Sequence, residues 1–241
     1  MRTLVISDVH ANLTALEAVI KDAANFDRVF CLGDLVGYGP DPNECIRLIS
    51  SLPNLHCLMG NHDAAVLGFI KSSNFNWEAQ QALSLQATML SEESRHFLQC
   101  LELEKDVSGI HMVHGSPRNP VWEYILDSFT ALENFNAFST QICLIGHSHV
   151  PSIFELNQAE KVRLLLPGHG DLWQSERRFI LNPGSVGQPR DRNPKAAYLI
   201  FDDHEQTWQF RRVKYNVAEV QKRILQAGLI EKHAQRLERG I

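Results

Sequence analysis

Side chains that can bind metals follow apolar segments at five points in the first 149 residues. The five strings are Asp8-Val9-His10, Gly33-Asp34, Gly60-Asn61-His62-Asp63, Val113-His114-Gly115 and Gly146-His147-Ser148-His149. The gaps between the first three strings are each long enough to hold one helix, so the strings can lie side by side in the folded chain. Carboxylate, amide and imidazole groups gathered in this way predict metal-assisted chemistry at one site.

The types of the candidate ligands indicate which metals the site would take. They comprise two aspartates, one asparagine and four histidines without a thiolate, a mixture that suits borderline divalent ions better than Mg²⁺ or Ca²⁺. We expect two such ions, with Mn²⁺ preferred and Fe or Zn²⁺ as alternatives. Asp34 is the central candidate because each oxygen of one carboxylate can serve a different cation. A hydroxide between the ions could then attack phosphorus in line.

The elements that position these strings are predicted from the apolar pattern. Residues 3–7, 28–32 and 56–59 are typical of short buried strands, and a helix-like stretch follows each of them, the first with Asn12 as its N-cap. Residues 109–114 and 141–146 resume the strand pattern. Alternating strands and helices predict a parallel sheet, and ligand sites form beyond the carboxyl ends of such strands. All five strings lie at predicted strand ends.

The rest of the chain is expected to cover and extend this sheet. Residues from about 64 to 103 are predicted to form a helical insert that caps the site. After His149, five short strands predict an antiparallel second sheet: residues 152–156, 162–166, 178–181, 196–201 and 207–213. Two helices separated at Gly228 are expected over about 216–239. We interpret residues 1–241 as one domain.

Composition narrows the class of protein. The chain has 241 residues, 44% of them hydrophobic, and a formal net charge of −5 with no basic tail. Broad binding to nucleic acid or to an anionic membrane is therefore not expected. The residues before Asp8 are too few for a signal peptide or a membrane span, so the cytoplasm is the expected compartment. The five cysteines show no Cys-x-x-Cys spacing and are expected to be reduced.

The order of the five strings closely resembles that of the calcineurin-like metallophosphoesterases. The string Asn182-Pro183-Gly184-Ser185-Val186-Gly187 extends the resemblance towards the small bacterial and archaeal phosphodiesterase branch of that superfamily. The resemblance implies a two-sheet α/β/β/α sandwich with a helical insert near the active site. It also implies hydrolysis of a small phosphoester or nucleotide, such as a cyclic nucleotide or a dinucleoside polyphosphate. A homo-oligomer is compatible with it.

The resemblance also implies a role for each matching residue. One metal would be held by Asp8, His10, Asp34 and His149, and the other by Asp34, Asn61, His114 and His147. His62 would donate a proton to the leaving oxygen or stabilise charge in the transition state. Asp63 would tune or orient His62.

The chain departs from the family pattern after Asp34. Protein Ser/Thr phosphatases of the superfamily continue Gly-Asp-x-x-Asp-Arg-Gly, whereas this chain has Gly37 where they have the second Asp. The carboxylate that backs the catalytic His and the adjacent phosphate-binding Arg are both missing, so a protein phosphatase is the less favoured function. Arg118 and Arg190 are the candidates for a substituted phosphate clamp, and surface ion pairing is the alternative for each.

Several further features have two interpretations. A non-catalytic metal-binding scaffold is the main alternative function, although the presence of His62 favours catalysis. Residues 182–187 could approach the metals or simply form a turn. Trp122 and Tyr124 could stack on a nucleobase, but anchoring in the core is the favoured interpretation. His233 is expected at the surface.

Overall fold

Twelve strands and eight α-helices make up the computed structural model, which describes residues 1–241. The strands are β1 (Arg2–Ile6), β2 (Arg28–Cys31), β3 (Leu55–Cys57), β4 (Glu104–Val107), β5 (Ile110–Val113), β6 (Ile142–Leu144), β7 (Ser152–Leu156), β8 (Val162–Leu165), β9 (Leu172–Trp173), β10 (Phe179–Asn182), β11 (Ala196–Asp202) and β12 (Thr207–Val213). The helices are α1 (Leu13–Ala23), α2 (Pro42–Ser50), α3 (Asn61–Val66), α4 (Trp77–Met89), α5 (Glu92–Gln99), α6 (Ser128–Asn134), α7 (Val217–Gln226) and α8 (Glu231–Arg239). No helix combines the length and apolar character needed to cross a membrane.

The strands form two mixed sheets of six strands each. The first sheet has the order β3-β2-β1-β11-β12-β9, and the second has the order β4-β5-β6-β10-β7-β8. Strands β1, β2 and β3 are parallel to one another, as are β5, β6 and β10. The remaining pairs are antiparallel. Helices flank the two sheets, so the predicted α/β/β/α sandwich is confirmed.

The predicted division of strands between the two sheets is wrong. The strands after His149 do not form a sheet of their own, because β7, β8 and β10 join the second sheet while β9, β11 and β12 join the first. Likewise β5 and β6 do not continue the sheet of β1–β3. A strand buried on both faces has the same apolar pattern in either sheet, so its pairing partners depend on contacts distant in sequence.

Apolar side chains fill the spaces between the layers. In β1, alternation places Leu4 and Ile6 in a cluster with α1 and α2, whereas Val5 joins a second cluster that lies between the two sheets. A third cluster joins the outer face of the second sheet to α6. Burying a large apolar side chain completely contributes about 1.5–3 kcal/mol, so these clusters stabilise the layered arrangement.

Helix ends and one small cluster fix the elements around the site. The side chain of Asn12 accepts a hydrogen bond from the main-chain N–H of Ala15 and caps α1, as predicted. The segment between α3 and α5 is largely helical. Ala82 of α4, Val220 and Ile224 of α7 and Leu237 of α8 share a buried cluster. This cluster holds the C-terminal helices against the helical segment.

Candidate active site

The structure brings all the predicted ligands together at the ends of strands. Asp8 follows β1, Asp34 follows β2 and Asn61 begins α3 after β3, while His114 directly follows β5 and His147 follows β6. At most 4% of the surface of each ligand residue and of His62 is exposed. The carboxyl ends of the parallel strands of both sheets therefore meet at one buried centre.

The first group of ligands surrounds Asp8. The Nε2 atom of His149 lies 3.3 Å from Asp8 Oδ1 and 3.1 Å from His10 Nε2. The Nε2 atom of His10 is also 3.7 Å from Asp34 Oδ2. These contacts gather the four residues that the family resemblance assigns to one metal.

The second group surrounds the other side of Asp34. The Nε2 atom of His114 lies 3.4 Å from Asp34 Oδ2 and 3.1 Å from Asn61 Oδ1. One donor atom each of Asp34, His114 and His147 lie within 4.8 Å of one another. Asp34 therefore joins the two groups. One donor atom each of His10, Asp34 and His62 also lie within 4.8 Å of one another. His62 therefore lies where the two groups meet.

The hydrogen bonds of the histidine rings make the site suitable for cations. Three rings share one arrangement, with Nδ1 at hydrogen-bond distance from a main-chain carbonyl: His10 from Val36 O at 2.8 Å, His149 from Gln188 O at 2.6 Å and His114 from Leu32 O at 2.8 Å. Each Nδ1 must carry a proton, so each ring directs Nε2 to the centre, and Nε2 offers a lone pair whenever the ring is neutral. There the lone pairs face one another and face carboxylate and amide oxygens. Bound cations would satisfy such a set of acceptors, and Asp8 Oδ1 and His147 Nε2 are buried without a hydrogen-bond partner.

The pKa values of these groups show where the centre favours positive charge. Burial lowers the pKa of His10 and of His149 well below the usual value, so both rings are neutral at neutral pH. Burial also acts to lower the pKa of His114, but the Asp34 carboxylate outweighs it and raises the pKa to about 9. Burial opposes ionisation of Asp34, yet the charge of His114 holds its pKa well below the usual range. The centre therefore stabilises positive charge beside Asp34.

The backbone of the ligand loops is strained. Five candidate ligands have the left-handed conformation that residues other than glycine rarely adopt: Asp8 (φ 54°), His10 (φ 47°), Asp34 (φ 56°), His147 (φ 64°) and His149 (φ 62°). Gly60 is required for a different reason, since a Cβ there would overlap the carboxylate of Asp34. Such strain persists only where surrounding contacts hold the backbone in place.

Asp63 supplies several of those contacts. Its Oδ2 accepts hydrogen bonds from the main-chain N–H of Asp34 at 2.8 Å and of Gly60 at 2.9 Å. Its Oδ1 accepts from the main-chain N–H of Leu35 at 2.9 Å and of Val36 at 3.2 Å. The predicted role of orienting His62 is not what the contacts show, because neighbouring side chains on α3 point in different directions and Asp63 makes no hydrogen bond to His62. Asp63 instead positions the Asp34 loop.

His62 lies in an aromatic enclosure at the junction of the two groups. The centre of its ring is 4.6 Å from that of Tyr38 and 4.9 Å from those of His10 and Phe75. Its main-chain N–H donates to Asp34 Oδ1 at 2.9 Å, and its Nδ1 has no hydrogen-bond partner. Burial lowers the pKa of His62 to about 4. The ring is therefore held in place by packing and retains its polar atoms for a ligand.

Gly37 lies directly against this ring. A Cβ at Gly37 would overlap the His62 imidazole, and the φ of 94° is itself unfavourable for other residues. Gln86 of α4 holds the loop: its Oε1 accepts from Gly37 N at 2.6 Å, and its Nε2 donates to Gly39 O at 2.7 Å. Sequence reasoning missed Gln86, because its burial is seen only in the structure. A fully buried amide in the middle of a helix is unusual without such partners.

Side chains of residues 182–187 support the loops that carry the candidate ligands by donating hydrogen bonds to main-chain carbonyls. Asn182 Nδ2 donates to Gly146 O at 2.6 Å, and Ser185 Oγ donates to Asp8 O at 2.8 Å. The next residue, Gln188, provides the carbonyl that fixes His149. The loop is therefore close to the centre and acts by support, so both interpretations of this string were partly correct.

A pocket of about 330 Å³ opens over the centre. Four candidate ligands and His62 line it together with Phe75, Trp122, Tyr124, Arg190 and Arg236; the four are Asp34, Asn61, His147 and His149. Tyr124 is 43% exposed and stacks on the ring of His147 at 3.8 Å between ring centres. The expectation that Trp122 and Tyr124 are anchored in the core is wrong, because the turn before them directs both to the pocket wall.

The two arginines proposed for phosphate binding differ in position. Arg190 lines the pocket, where its Nη2 donates to Gln188 Oε1 at 3.0 Å and no carboxylate pairs with it. Arg118 is not on the pocket wall and forms ion pairs with Glu123 and Glu133. The structure therefore gives Arg118 the alternative surface role, because two carboxylates already occupy its guanidinium.

Two further residues near the pocket were not identified from the sequence. Tyr38 is buried and packs against both His10 and His62. Arg236 of α8 lines the pocket, pairs with no Asp or Glu side chain and donates from Nε to Ile241 O at 2.9 Å. His233, on the same helix, is fully buried rather than at the surface, and its ring lies 5.0 Å from that of Tyr38. The run of basic residues at the end of α8 was the available signal, but only the docking of the helix places it at the site.

Comparison with known proteins assigns the family. The model of the calcineurin-like phosphoesterase superfamily domain matches residues 1–206. The crystal structure of a metallophosphoesterase from Sphaerobacter thermophilus superposes with a TM-score of 0.93, at 42% identity over 100% of both chains. An uncharacterised protein of Methanocaldococcus jannaschii is 37% identical over 98% of this chain and 97% of its own length. The chain belongs to the calcineurin-like phosphoesterase superfamily, and it is a phosphoester hydrolase.

A more distant similarity concerns a named enzyme. The symmetrical bis(5'-nucleosyl)-tetraphosphatase of Proteus mirabilis is 39% identical over 72 residues, which are 28% of this chain and 26% of that enzyme. The chain thus spans about a quarter of the length of this relative.

Proposed function

We propose that the protein hydrolyses phosphodiester or phosphomonoester bonds of a small molecule or nucleotide with two divalent transition-metal ions, preferably Mn²⁺. One ion would be held by Asp8, His10, Asp34 and His149, and the other by Asp34, Asn61, His114 and His147. Bound ions would supply positive charge to the phosphate oxygens and lower the pKa of the attacking water.

The convergence of acceptors on Asp34 is the observation that carries this proposal. Three imidazole Nε2 lone pairs, two carboxylates and one amide oxygen face one another in a buried space, with each Nδ1 proton engaged by a carbonyl. Such an arrangement without cations would leave several buried acceptors unpaired, at about 1–3 kcal/mol each. Two groups sharing one carboxylate suit two cations better than one.

His62 is the residue placed to act on the leaving group. It lines the pocket and adjoins Asp34 through its main-chain N–H, while its ring is packed by Tyr38 and Phe75. We assign it the role of donating a proton to the leaving oxygen or of stabilising charge as the bond breaks. Fixed packing holds the ring in position, which reduces the reorganisation needed during the reaction.

Arg190 is the proposed contact for a phosphate oxygen. Its guanidinium lies 5.8 Å above the Tyr38 ring and lacks a carboxylate partner within the chain. Burial leaves its Nε without a hydrogen-bond partner. A bound phosphate would satisfy these donors.

The pocket supports a small substrate. A volume of about 330 Å³ is at the lower end of the range for small-molecule sites, and aromatic side chains line it. Phe75 and Trp122 lie 4.9 Å apart between ring centres, which is a surface on which a planar base can stack. The similarity to a bis(5'-nucleosyl)-tetraphosphatase also supports a nucleotide substrate.

The test is hydrolysis by the purified protein after loading with Mn²⁺. The substrates are bis-p-nitrophenyl phosphate, p-nitrophenyl phosphate and diadenosine tetraphosphate, with a phosphopeptide for comparison. We expect turnover of at least one of the three small esters, loss of turnover when a chelator removes the metal, and recovery when Mn²⁺ is restored.

Two results would contradict the proposal. Full metal occupancy without hydrolysis, together with a protein partner that co-purifies in a fixed ratio, would establish the non-catalytic scaffold. A phosphopeptide hydrolysed better than every small ester would instead establish a protein phosphatase. Metal analysis of the same samples separates an inactive protein from an unloaded one.

A further inference from the structure

A second recess adjoins the catalytic pocket. We call it the α8 recess. It has a volume of about 440 Å³, and its wall consists mainly of Asn76, Glu78, Lys232, Gln235, Arg236 and Arg239. Asn76 and Arg236 line both spaces. The two spaces therefore adjoin at these side chains, and Arg236 borders both a ligand bound over Asp34 and a ligand bound in the recess.

The α8 recess has an excess of positive charge. Lys232 pairs with Glu78, which is the acidic side chain of the wall. Neither Arg236 nor Arg239 pairs with an Asp or Glu side chain, and Arg236 Nε donates to the main-chain oxygen of Ile241, which also lines the recess, at 2.9 Å. Both terminal nitrogens of the Arg236 guanidinium are therefore available to a ligand.

Arg236 also faces another cation across the boundary. Burial lowers the pKa of Arg236, and the charge of Arg190 on the catalytic side lowers it further. Two guanidinium groups on one pocket repel each other unless an anion lies between them. The packing of α8 against α4 and α7 nevertheless holds Arg236 there.

We propose that Arg236, with Arg190 on the catalytic side and Arg239 in the α8 recess, forms a second anion subsite that binds the phosphate next to the one that is cleaved. Preferred substrates then contain an oligophosphate chain, either inorganic or attached to a nucleoside. This assignment rests on the proposed function, since it takes the centre around Asp34 as the place of cleavage.

Binding to the metal-free protein tests the subsite without relying on activity. Calorimetric titration with inorganic tripolyphosphate should give a dissociation constant that rises about tenfold in Arg236→Ala, because charge-assisted hydrogen bonds are lost. Arg236→Lys should restore part of the affinity. Arg47→Ala is the matched control, since it removes the same charge from an exposed position on α2. An unchanged constant in Arg236→Ala, with a normal thermal transition, overturns the proposal.

Steady-state kinetics then connect the subsite with the reaction. The ratio of KM for diadenosine tetraphosphate to KM for bis-p-nitrophenyl phosphate should rise about tenfold in Arg236→Ala. An equal rise of both KM values would overturn the subsite, because the second ester has only one phosphate. If Arg236 governs tripolyphosphate binding but no ester is hydrolysed, the proposed function fails and the subsite stands. Comparing adenosine triphosphate with tripolyphosphate distinguishes a nucleoside-linked chain from an inorganic one.

Discussion

The floor and the wall of the catalytic pocket are built in different ways. The floor consists of the ligand loops after β1, β2, β3, β5 and β6, whose ligand side chains are at most 3% exposed. The wall consists of the segment around Phe75, the loop with Trp122 and Tyr124, and α8, and its side chains are half-buried or exposed. Many hydrogen bonds fix the loops of the floor, whereas the wall is held mainly by packing.

The difference indicates which part of the pocket determines chemistry and which part determines substrate. Strained backbone at five candidate ligands is maintained in the floor by hydrogen bonds to main-chain N–H groups, such as those that the Asp63 carboxylate accepts. Few changes there are compatible with the proposed pair of bound ions. The wall can vary without disturbing the centre, since Arg190 and Arg236 make few hydrogen bonds within the chain. Substitutions in the floor should therefore abolish turnover, and those in the wall should change selectivity.

Asp34→Ala tests the floor most severely. Asp34 is the carboxylate shared by both ligand groups, so its removal should lower metal content from two ions per chain and lower kcat/KM by about 10³-fold or more. Metal analysis and hydrolysis of bis-p-nitrophenyl phosphate measure the two effects. Retention of two tightly bound ions by a folded variant would show that Asp34 does not bridge them.

His62→Asn separates catalysis from metal binding within the floor. The main-chain N–H that donates to Asp34 is retained in this variant. We expect kcat to fall by about 10²–10⁴-fold, the usual contribution of proton transfer by a positioned side chain, with metal content unchanged. Because His62 also lies within reach of His10 and Asp34, a loss of metal in this variant would instead assign it as a ligand.

Asp63→Asn tests whether the floor depends on its backbone support. An amide retains only one accepting oxygen for the four main-chain N–H groups that the carboxylate now satisfies. We expect a loss of about 3 kcal/mol in the free energy of unfolding and roughly 10–100-fold weaker metal binding.

Denaturant unfolding and titration with Mn²⁺ measure these effects. Asp106→Asn is the control, because the carboxylate of Asp106 is 66% exposed on β4 and bonds only to His111. Equal effects of the two substitutions would remove the argument for a positioning role of Asp63.

Sequence predicted the floor well because its information is local. Asp8, Asp34 and His114 each follow a strand that the apolar pattern identifies, and strand ends of parallel segments meet whichever sheet the strand joins. The candidate ligands therefore meet in the structure even though the predicted division of strands between the two sheets is wrong. The family resemblance supplied the assignment of each ligand to a metal.

Sequence predicted the wall poorly because its residues meet only through packing. Arg236 reaches the pocket because α8 docks on α4 and α7, and no local pattern specifies that contact. Arg118 failed as a candidate because the positions of Glu123 and Glu133 depend on a turn and on α6. The role of Gln86 was missed for the same reason, since its partner Gly37 is in the loop between β2 and α2 whereas Gln86 is in α4.

Gln86→Leu tests the connection between wall and floor. The substitution leaves the N–H of Gly37 and the carbonyl of Gly39 without partners, which should lower the free energy of unfolding by roughly 2–5 kcal/mol. Movement of Gly37 against His62 should also lower kcat by about tenfold. Gln81→Leu is the matched control, because Gln81 is exposed on the same helix. Normal kcat in Gln86→Leu would mean that the loop keeps its position without α4.

Arg118→Ala should have the smallest effect of all, which makes it a test of where the wall ends. Its side chain is 40% exposed and already paired with two carboxylates, so we expect kcat/KM to change by about twofold at most.

Arg190→Ala should raise KM by about tenfold, since the donors of Arg190 face the pocket and lack a carboxylate. Measured side by side on one ester, the two variants remove the same charge and differ in position. A comparable rise in KM for both would mean that net charge attracts the substrate and that Arg190 has no specific contact with phosphate.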